Sequence, residues 1–199
     1  MKHSSVKQAF VTENRLWDAP AETMPIDQRR QLQLQRLRAT VDRLAAVPFY
    51  AGALARRGIT PQCIRGLDDI RRLPITTKED LRQNYPLGLC AVPRERIARI
   101  HGSSGTTGKP TLVAYTADDV RLWADLCARF LVAGGLRPEH TVHVSFGYGL
   151  FTGGLGLHYG IERVGSAVVP ASAGNTPRHV MLIRDLGAQC SSARRAMRW

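Results

Sequence analysis

A glycine-rich run, HGSSGTTGKP at residues 101–110, constrains the fold of this 199-residue chain more than any other segment. Glycine reaches backbone conformations that other residues avoid, and it lets the main chain come close to a ligand. The N–H groups of such a loop can converge on one anion. Serine and threonine hydroxyls add donors, and Lys109 adds a positive charge. The run therefore predicts a loop that binds phosphate groups.

This run differs from the P-loop of nucleoside triphosphatases. That motif, G-x-x-x-x-G-K-[ST], requires glycine where Ser103 stands and a hydroxyl residue where Pro110 stands. The simplest alternative is a glycine- and serine-rich hairpin loop with only a structural role. The unbroken block SSGTTGKP at 103–110 favours phosphate binding over that alternative.

The residues beside the loop predict a hairpin followed by a helix. Residues 96–100 and 112–115 are short strand candidates, so that 101–111 would close a hairpin. A helix should begin after Thr116, whose hydroxyl can cap it, and end at Gly134.

Strands and helices continue to alternate in the rest of the chain. Residues 141–146 and 166–170 are strand candidates, and the second is apolar enough to be buried on both faces of a sheet. The glycine-rich residues 147–160 predict a loop that leads into a helix, and another helix is expected over 176–187. The fold class that we predict is α/β: a layered sheet with helices, preceded by a helical N-terminal region.

Helices are expected in the N-terminal half. Apolar residues recur at spacings of three and four between Pro25 and Pro48, which is typical of a helix with one buried face. A second, shorter helix is expected from Phe49 to Gly58.

Composition argues against several function classes. The formal net charge is +12, but the basic residues are dispersed and no aromatic residues alternate with them, so nucleic acid is not an expected partner. No stretch approaches the roughly 18 apolar residues of a membrane span, and the N-terminus lacks a secretory signal. We therefore expect a cytoplasmic protein with no membrane partner, whose four cysteines stay reduced.

The run SSGTTGKPT at 103–111 resembles the phosphate-binding loop of the adenylate-forming superfamily, which includes the acyl–CoA synthetases. Three further stretches resemble the phenylacetate–CoA ligase family within it: LPITTKEDLRQNYPLG at 73–88, YGLFTGGLGLHYGIERVG at 148–165, and Trp17 with the Glu22-Thr23-Met24 run. The similarity extends from about Trp17 to Gln189. It implies an incomplete version of the N-terminal domain of these ligases.

The resemblance implies ATP-dependent activation of phenylacetate or a related aryl acid. In the family, the carboxylate attacks the α-phosphorus of ATP, and the thiol of CoA then displaces AMP from the acyl-adenylate. ATP, Mg²⁺ and CoA are the implied cofactor and co-substrates, so the partners are small molecules, and a homodimer is a further expectation. The family's adenylation lysine is expected in the missing C-terminal part.

Site residues also follow from the resemblance. The ATP phosphates would be bound by Ser103, Ser104, Gly105, Thr106, Thr107, Gly108 and Lys109. The aryl pocket would include Tyr148, Phe151 and Gly154, because small residues leave room for a flat ring and aromatic residues stack on it. The alternative for the aromatic pair is a core position beneath a loop. No residue is predicted to bind a metal ion directly.

Two histidines and one charged pair are further candidates. His158 and His143 are the histidines expected nearest the site, although a histidine in an apolar strand is more often a core residue. Lys78 with Asp80 could form an active-site pair, but the run TTKEDL at 76–81 fits the start of a helix better.

The last ten residues, CSSARRAMRW at 190–199, depart from the pattern. They are basic, aperiodic and a poor strand candidate, where the family has a buried strand and a turn containing Pro-Ser-Tyr. For one choice of codons, a one-nucleotide shift of the reading frame converts the run into VLFCSPSYAM. We therefore expect a frameshifted tail on a truncated ligase with low or absent activity.

These patterns divide the chain into a helical N-terminal region at 1–95, a partial ATP-binding α/β domain at 96–189 and an aberrant tail at 190–199. Two other functions stay open. One is a nucleotide-binding module without ligase activity, which binds ATP and forms no adenylate. The other is a basic interaction protein, whose affinity for DNA would depend steeply on salt.

Overall fold

The computed structural model describes residues 16–103 and 110–192 of the chain. Its N-terminal half consists of short helices: α1 (Ala19–Glu22), α2 (Ile26–Ala45), α3 (Pro48–Ala55) and α4 (Lys78–Gln83), with 3-10 turns at Pro61–Cys63, Leu67–Arg72 and Arg94–Arg96. No helix of the described residues is both long enough and apolar enough to cross a membrane.

The helical region has a small core of its own. Val41 of α2 and Leu54 of α3 are buried against Ile59 and Ile64, and leucines from the same face of α2 pack around them. Arg38 adds a hydrogen bond from its Nε to the Ile64 carbonyl at 2.7 Å. The helical period read from the sequence is therefore confirmed.

Strands β1 (Ile97–Gly102) and β2 (Leu112–Thr116) form the predicted antiparallel hairpin. Helix α5 (Ala117–Ala133) follows β2 directly, and Thr116 caps it as predicted. The Thr116 Oγ1 accepts from the Asp119 N–H at 3.2 Å, and the Asp119 carboxylate accepts from the Thr116 N–H at 2.8 Å. Two backbone donors at the helix start are thereby satisfied.

A parallel sheet of three strands follows. Its elements are β3 (Thr141–Val144), α6 (Gly153–Val164), β4 (Ala167–Val169), α7 (Thr176–Asp185) and β5 (Cys190–Ser192). The strand order is β4–β3–β5, so the chain passes first to one side of β3 and then to the other.

Helices cover both faces of this sheet. Val142 and Val144 belong to one buried cluster with Ile161 of α6, to which α5 also contributes. Because side chains alternate along a strand, His143 points to the opposite face. There it contacts His179 of α7. The predicted layered α/β arrangement is confirmed.

Glycines bring α5 and α6 close together. A Cβ atom at Gly156 would lie 2.5 Å from Trp123 Cζ2, and one at Gly160 would lie 2.4 Å from Cys127 Cβ. The expected loop over 147–160 is therefore wrong in its second half, because α6 begins at Gly153. These glycines permit close helix packing, whereas their frequency in the sequence is typical of a loop.

Two strands also differ from the sequence expectations. β4 lies at an edge of the described sheet and exposes Ala167, although its apolar sequence predicts burial on both faces. β5 forms at Cys190–Ser192, where the sequence predicts no strand. Its backbone pairs with β3, and the Ser145 N–H donates to the Ser192 carbonyl at 2.8 Å. Main-chain hydrogen bonding thus outweighs the polar side chains. The other tail residues, 193–199, lie outside the described residues.

Candidate functional site

The glycine-rich run connects the two strands of the β1–β2 hairpin, and the pair nearest this connection is Gly102 with Leu112. Just beyond it, the Ser103 N–H donates to the Thr111 carbonyl at 3.0 Å, and the Thr111 N–H donates to Ser103 Oγ at 3.3 Å. Ser103 is the one predicted phosphate ligand that the structure describes. The following predicted ligands lie outside the described residues: Ser104, Gly105, Thr106, Thr107, Gly108 and Lys109.

Residues 145–152, between β3 and α6, are bonded to the base of this loop. The Gly102 N–H donates to the Leu150 carbonyl at 2.9 Å, and His101 Nδ1 lies 2.9 Å from the same oxygen. A Cβ atom on Gly102 would lie 2.8 Å from Leu150 Cδ2, so a side chain there would require Leu150 to move. The structure thereby joins the base of the predicted phosphate loop to the segment predicted to bind the acid.

The three residues predicted for the aryl pocket lie in different environments. Tyr148 is half-buried against the core shared by α5, α6 and β3, whereas Phe151 is 56% exposed. Gly154 is buried in the first turn of α6, where a Cβ atom would lie 2.8 Å from the Gly147 carbonyl oxygen. Tyr148 therefore agrees in part with the alternative that these aromatic residues are core residues beneath a loop. Of the two aromatic side chains, Phe151 is the one that is open to solvent.

A chain of hydrogen bonds runs from Tyr148 into α6. Its hydroxyl lies 3.2 Å from His158 Nδ1, and His158 Nε2 lies 3.1 Å from Glu162 Oε1. Burial raises the pKa of Tyr148, and the negative charge of Glu162 raises it further. The phenol therefore keeps its proton at neutral pH and acts as a hydrogen-bonding group, not as a base.

The other candidates from the sequence have structural roles. His143 is fully buried, with its Nε2 3.2 Å from His179 Nδ1, and burial together with the neighbouring His179 lowers the pKa of His143. It is the core residue that its apolar strand suggested. The Asp80 carboxylate accepts from the Thr77 N–H at 2.7 Å and caps α4, which confirms the helix-start interpretation of the Lys78 region.

His101 is a residue that the sequence analysis does not single out. It is 2% exposed, and its Nε2 is buried with no hydrogen-bond partner among the described residues; the same holds for Thr111 Oγ1. Buried polar atoms ordinarily have partners, so these two are candidates for hydrogen bonds to a ligand. The signal available in the sequence is the position of His101, which is the first residue of the glycine-rich run.

A cavity of about 490 Å³ opens beside this junction, between β2 and α5. Tyr115, Trp123 and Thr152 contribute to its lining, and none of the three residues predicted for the aryl pocket does so. Within residues 16–103 and 110–192, no three His, Cys, Asp or Glu side chains gather closely enough to hold a metal ion.

The chain is similar in sequence to phenylacetate-coenzyme A ligases. It is 52% identical over 171 residues to the ligase of Thermus thermophilus and 50% identical over 167 residues to that of Escherichia coli. These matches cover 85% and 83% of the chain but only 38% of each relative, so the chain spans well under half the length of these relatives. No protein-family model matches the chain.

Solved structures share the fold. A 2-hydroxyisobutyryl-CoA ligase in complex with 2-HIB-AMP and CoA matches with a TM-score of 0.81 at 30% identity, over 88% of this chain and 39% of that one. The same ligase with R3-HIB-AMP matches with a TM-score of 0.81 at 27% identity, over 95% of this chain and 41% of that one. The predicted α/β fold class is thereby confirmed.

Proposed function

We propose that this chain, whose sequence and fold match the N-terminal part of adenylate-forming ligases, binds the phosphates of ATP for the activation of phenylacetate or a related aryl acid. The observation that carries the proposal is the junction at Gly102, where the base of the phosphate loop meets residues 145–152. An anion site and an acid site side by side are what the first step of that reaction requires.

The reaction has two steps. A carboxylate oxygen attacks the α-phosphorus of ATP, the bond from that phosphorus to the bridging oxygen breaks, and pyrophosphate leaves with the electron pair. The sulfur of CoA then attacks the acyl carbon, and AMP leaves as the thioester forms and the thiol proton is lost. Both reactants of the first step are anions, so the site must offset their repulsion.

The glycine-rich run offers the groups for this task. Its backbone N–H groups and hydroxyls can bind the phosphate oxygens, and Lys109 supplies a positive charge. Magnesium would arrive bound to the ATP phosphates, which is a usual mode for this ion. One solved structure of the 2-hydroxyisobutyryl-CoA ligase carries both 2-HIB-AMP and CoA. We propose an acyl-AMP and CoA for the reaction to which this chain contributes.

For the acid we propose the surface formed by Tyr148, Phe151 and Gly154. Phe151 offers exposed aromatic surface on which a ring can stack. Tyr148 offers a phenol oriented by His158. Gly154 permits the close approach of the loop to α6.

A second candidate, nucleotide binding without turnover, is favoured by the 38% coverage of the relatives. In the division that we propose, ATP binding belongs to residues 96–189, while 1–95 is a helical region and 190–199 is a tail. Under this second candidate, residues 1–199 bind ATP and form no product.

Calorimetric titration of the 199-residue chain with ATP and magnesium tests the proposal. Lys109→Ala should weaken ATP binding roughly 10- to 150-fold, because a charge-assisted hydrogen bond contributes about 1.5–3 kcal/mol. Lys78→Ala is the matched control, since it removes the same charge from an exposed position in α4 and should leave the affinity within about twofold. No ATP binding, or equal losses in both variants, would contradict the proposal.

Pyrophosphate release in the presence of phenylacetate, ATP and CoA separates the two candidates. Release that depends on phenylacetate would show that the 199 residues perform the first step. ATP binding without release would favour the nucleotide-binding module.

A further inference from the structure

His101 lies at the centre of the contact between the two proposed sites. It is the second-to-last residue of β1 and the first residue of the glycine-rich run, directly before Gly102. Its ring is 2% exposed and is held edge-on by two aromatic rings, at 5.7 Å from Tyr115 and 5.5 Å from Trp123 between centroids.

The supporting rings are themselves fixed. Tyr115 and Trp123 stack at 5.5 Å with an interplanar angle of 24°. A Cβ atom on Gly156 would collide with Trp123, which shows how tightly α6 packs on this ring. The imidazole of His101 therefore has little freedom to change its orientation.

His101 contacts the main chain of residues 145–152 at the Leu150 carbonyl. The carbonyl oxygen lies 2.9 Å from His101 Nδ1 and also accepts from the Gly102 N–H at 2.9 Å. A carbonyl can only accept, so Nδ1 must carry the hydrogen in this contact. Two donors from adjacent residues of β1 thus use both lone pairs of one carbonyl in the middle of 145–152.

We infer that His101 is a positioning residue, which fixes the acid-binding segment 145–152 against the phosphate loop through the Leu150 carbonyl. This inference rests on the proposed function, because it states that the His101 side chain sets the distance between the bound acid and ATP. In this inference His101 acts through its Nδ1 contact with the Leu150 carbonyl and not through contact with a reacting atom. It acts by keeping the carboxylate within reach of the α-phosphate, where misplacement by about 1 Å is costly.

Two substitutions isolate the hydrogen bond. His101→Phe keeps an aromatic ring between Tyr115 and Trp123 but removes the donor. His101→Asn loses the ring but carries an amide N–H close to the position of Nδ1. Thermal unfolding of both variants shows whether the fold is retained.

Hydrogen exchange and ligand affinity are then measured on the 199-residue chain. In His101→Phe, the Gly102 amide, which donates to the same Leu150 carbonyl, should exchange faster. Phenylacetate should bind about three- to tenfold more weakly, as expected for one lost hydrogen bond. That loss should be at least threefold larger than the loss for ATP. His101→Asn should restore slow exchange and most of the affinity, which a purely packing role of the ring would not do.

The possible outcomes distinguish a failure of the proposed function from a failure of this inference alone. A wild-type chain that fails to bind ATP overturns the proposed function and this inference with it. If the wild-type chain binds ATP, the inference alone is overturned by any of three results: no phenylacetate binding, equal phenylacetate affinity in all three proteins, or unchanged exchange of the Gly102 amide in His101→Phe.

Discussion

The close contact between α5 and α6 makes Gly160→Ala a sensitive test of the fold. A Cβ atom there would lie 2.4 Å from Cys127 Cβ and 3.2 Å from the Cys127 carbonyl carbon. Carbon atoms in contact are ordinarily about 3.5–4.0 Å apart. Neither atom of Cys127 moves when its side chain rotates, so the two helices would have to separate by roughly 1 Å.

The expected cost follows from two opposing effects. Overpacking a tight contact costs about 1–3 kcal/mol, and the upper end applies where no side chain can rotate away. Alanine gains about 1 kcal/mol over glycine inside a helix, which offsets part of that cost. We therefore expect Gly160→Ala to lower the free energy of unfolding by about 2 kcal/mol, which shifts a urea midpoint by about 1 M.

Gly153→Ala is the matched control in the same helix. Its Cβ atom would lie 3.4 Å from Phe146 Cδ1, an ordinary contact, so stability should stay within about 0.5 kcal/mol. Combining Gly160→Ala with Cys127→Gly removes the colliding Cβ, and the pair should cost less than the sum of the single changes. Equal stability of the Gly160 and Gly153 variants would refute the packing argument.

Two further predictions concern titratable groups. Burial and His179 hold the pKa of His143 below its ordinary value of 6.5, so the unfolded chain binds more protons. The free energy of unfolding should therefore be highest above about pH 6.5 and should decrease at lower pH. In His143→Gln, the urea midpoint should decrease less as the pH is lowered. An equal decrease in the variant and the wild type would exclude His143 as the cause. Hydrogen bonds from Thr60 lower the pKa of Cys63, whereas burial raises that of Cys127. Peptide mass spectrometry after limited iodoacetamide treatment at about pH 7.5 should show Cys63 alkylated first, and faster labelling of Cys127 would contradict this.

Local signals in the sequence predicted much of the fold. The cap at Thr116, the helical period between Pro25 and Pro48 and the hairpin around 101–111 each depend on residues near one another in the chain. The phosphate-loop prediction is equally local, because it depends on ten consecutive residues, and it stays a prediction.

Contacts between distant segments could not be predicted in the same way. Gly156 and Gly160 read as loop residues because their partners on α5 are about 30 residues earlier in the sequence. β5 forms because β3 offers it backbone partners, which its own polar side chains do not reveal. The bond from His101 to the Leu150 carbonyl joins residues 49 apart and involves a main-chain atom, so no side-chain pattern marks it.

The order β4–β3–β5 has a consequence for where a ligand can enter. Helix α6 connects β3 to β4 over one face of the sheet, and α7 connects β4 to β5 over the other face. A topological switch point therefore lies between β3 and β5. Crevices in open parallel sheets form at such points, beyond the carboxyl ends of the strands. Residues 145–152 begin at the carboxyl end of β3. The strand order thus accounts for the location of the proposed acid site. We expect substitutions in residues 145–152 to change which acid is bound without moving the place of binding.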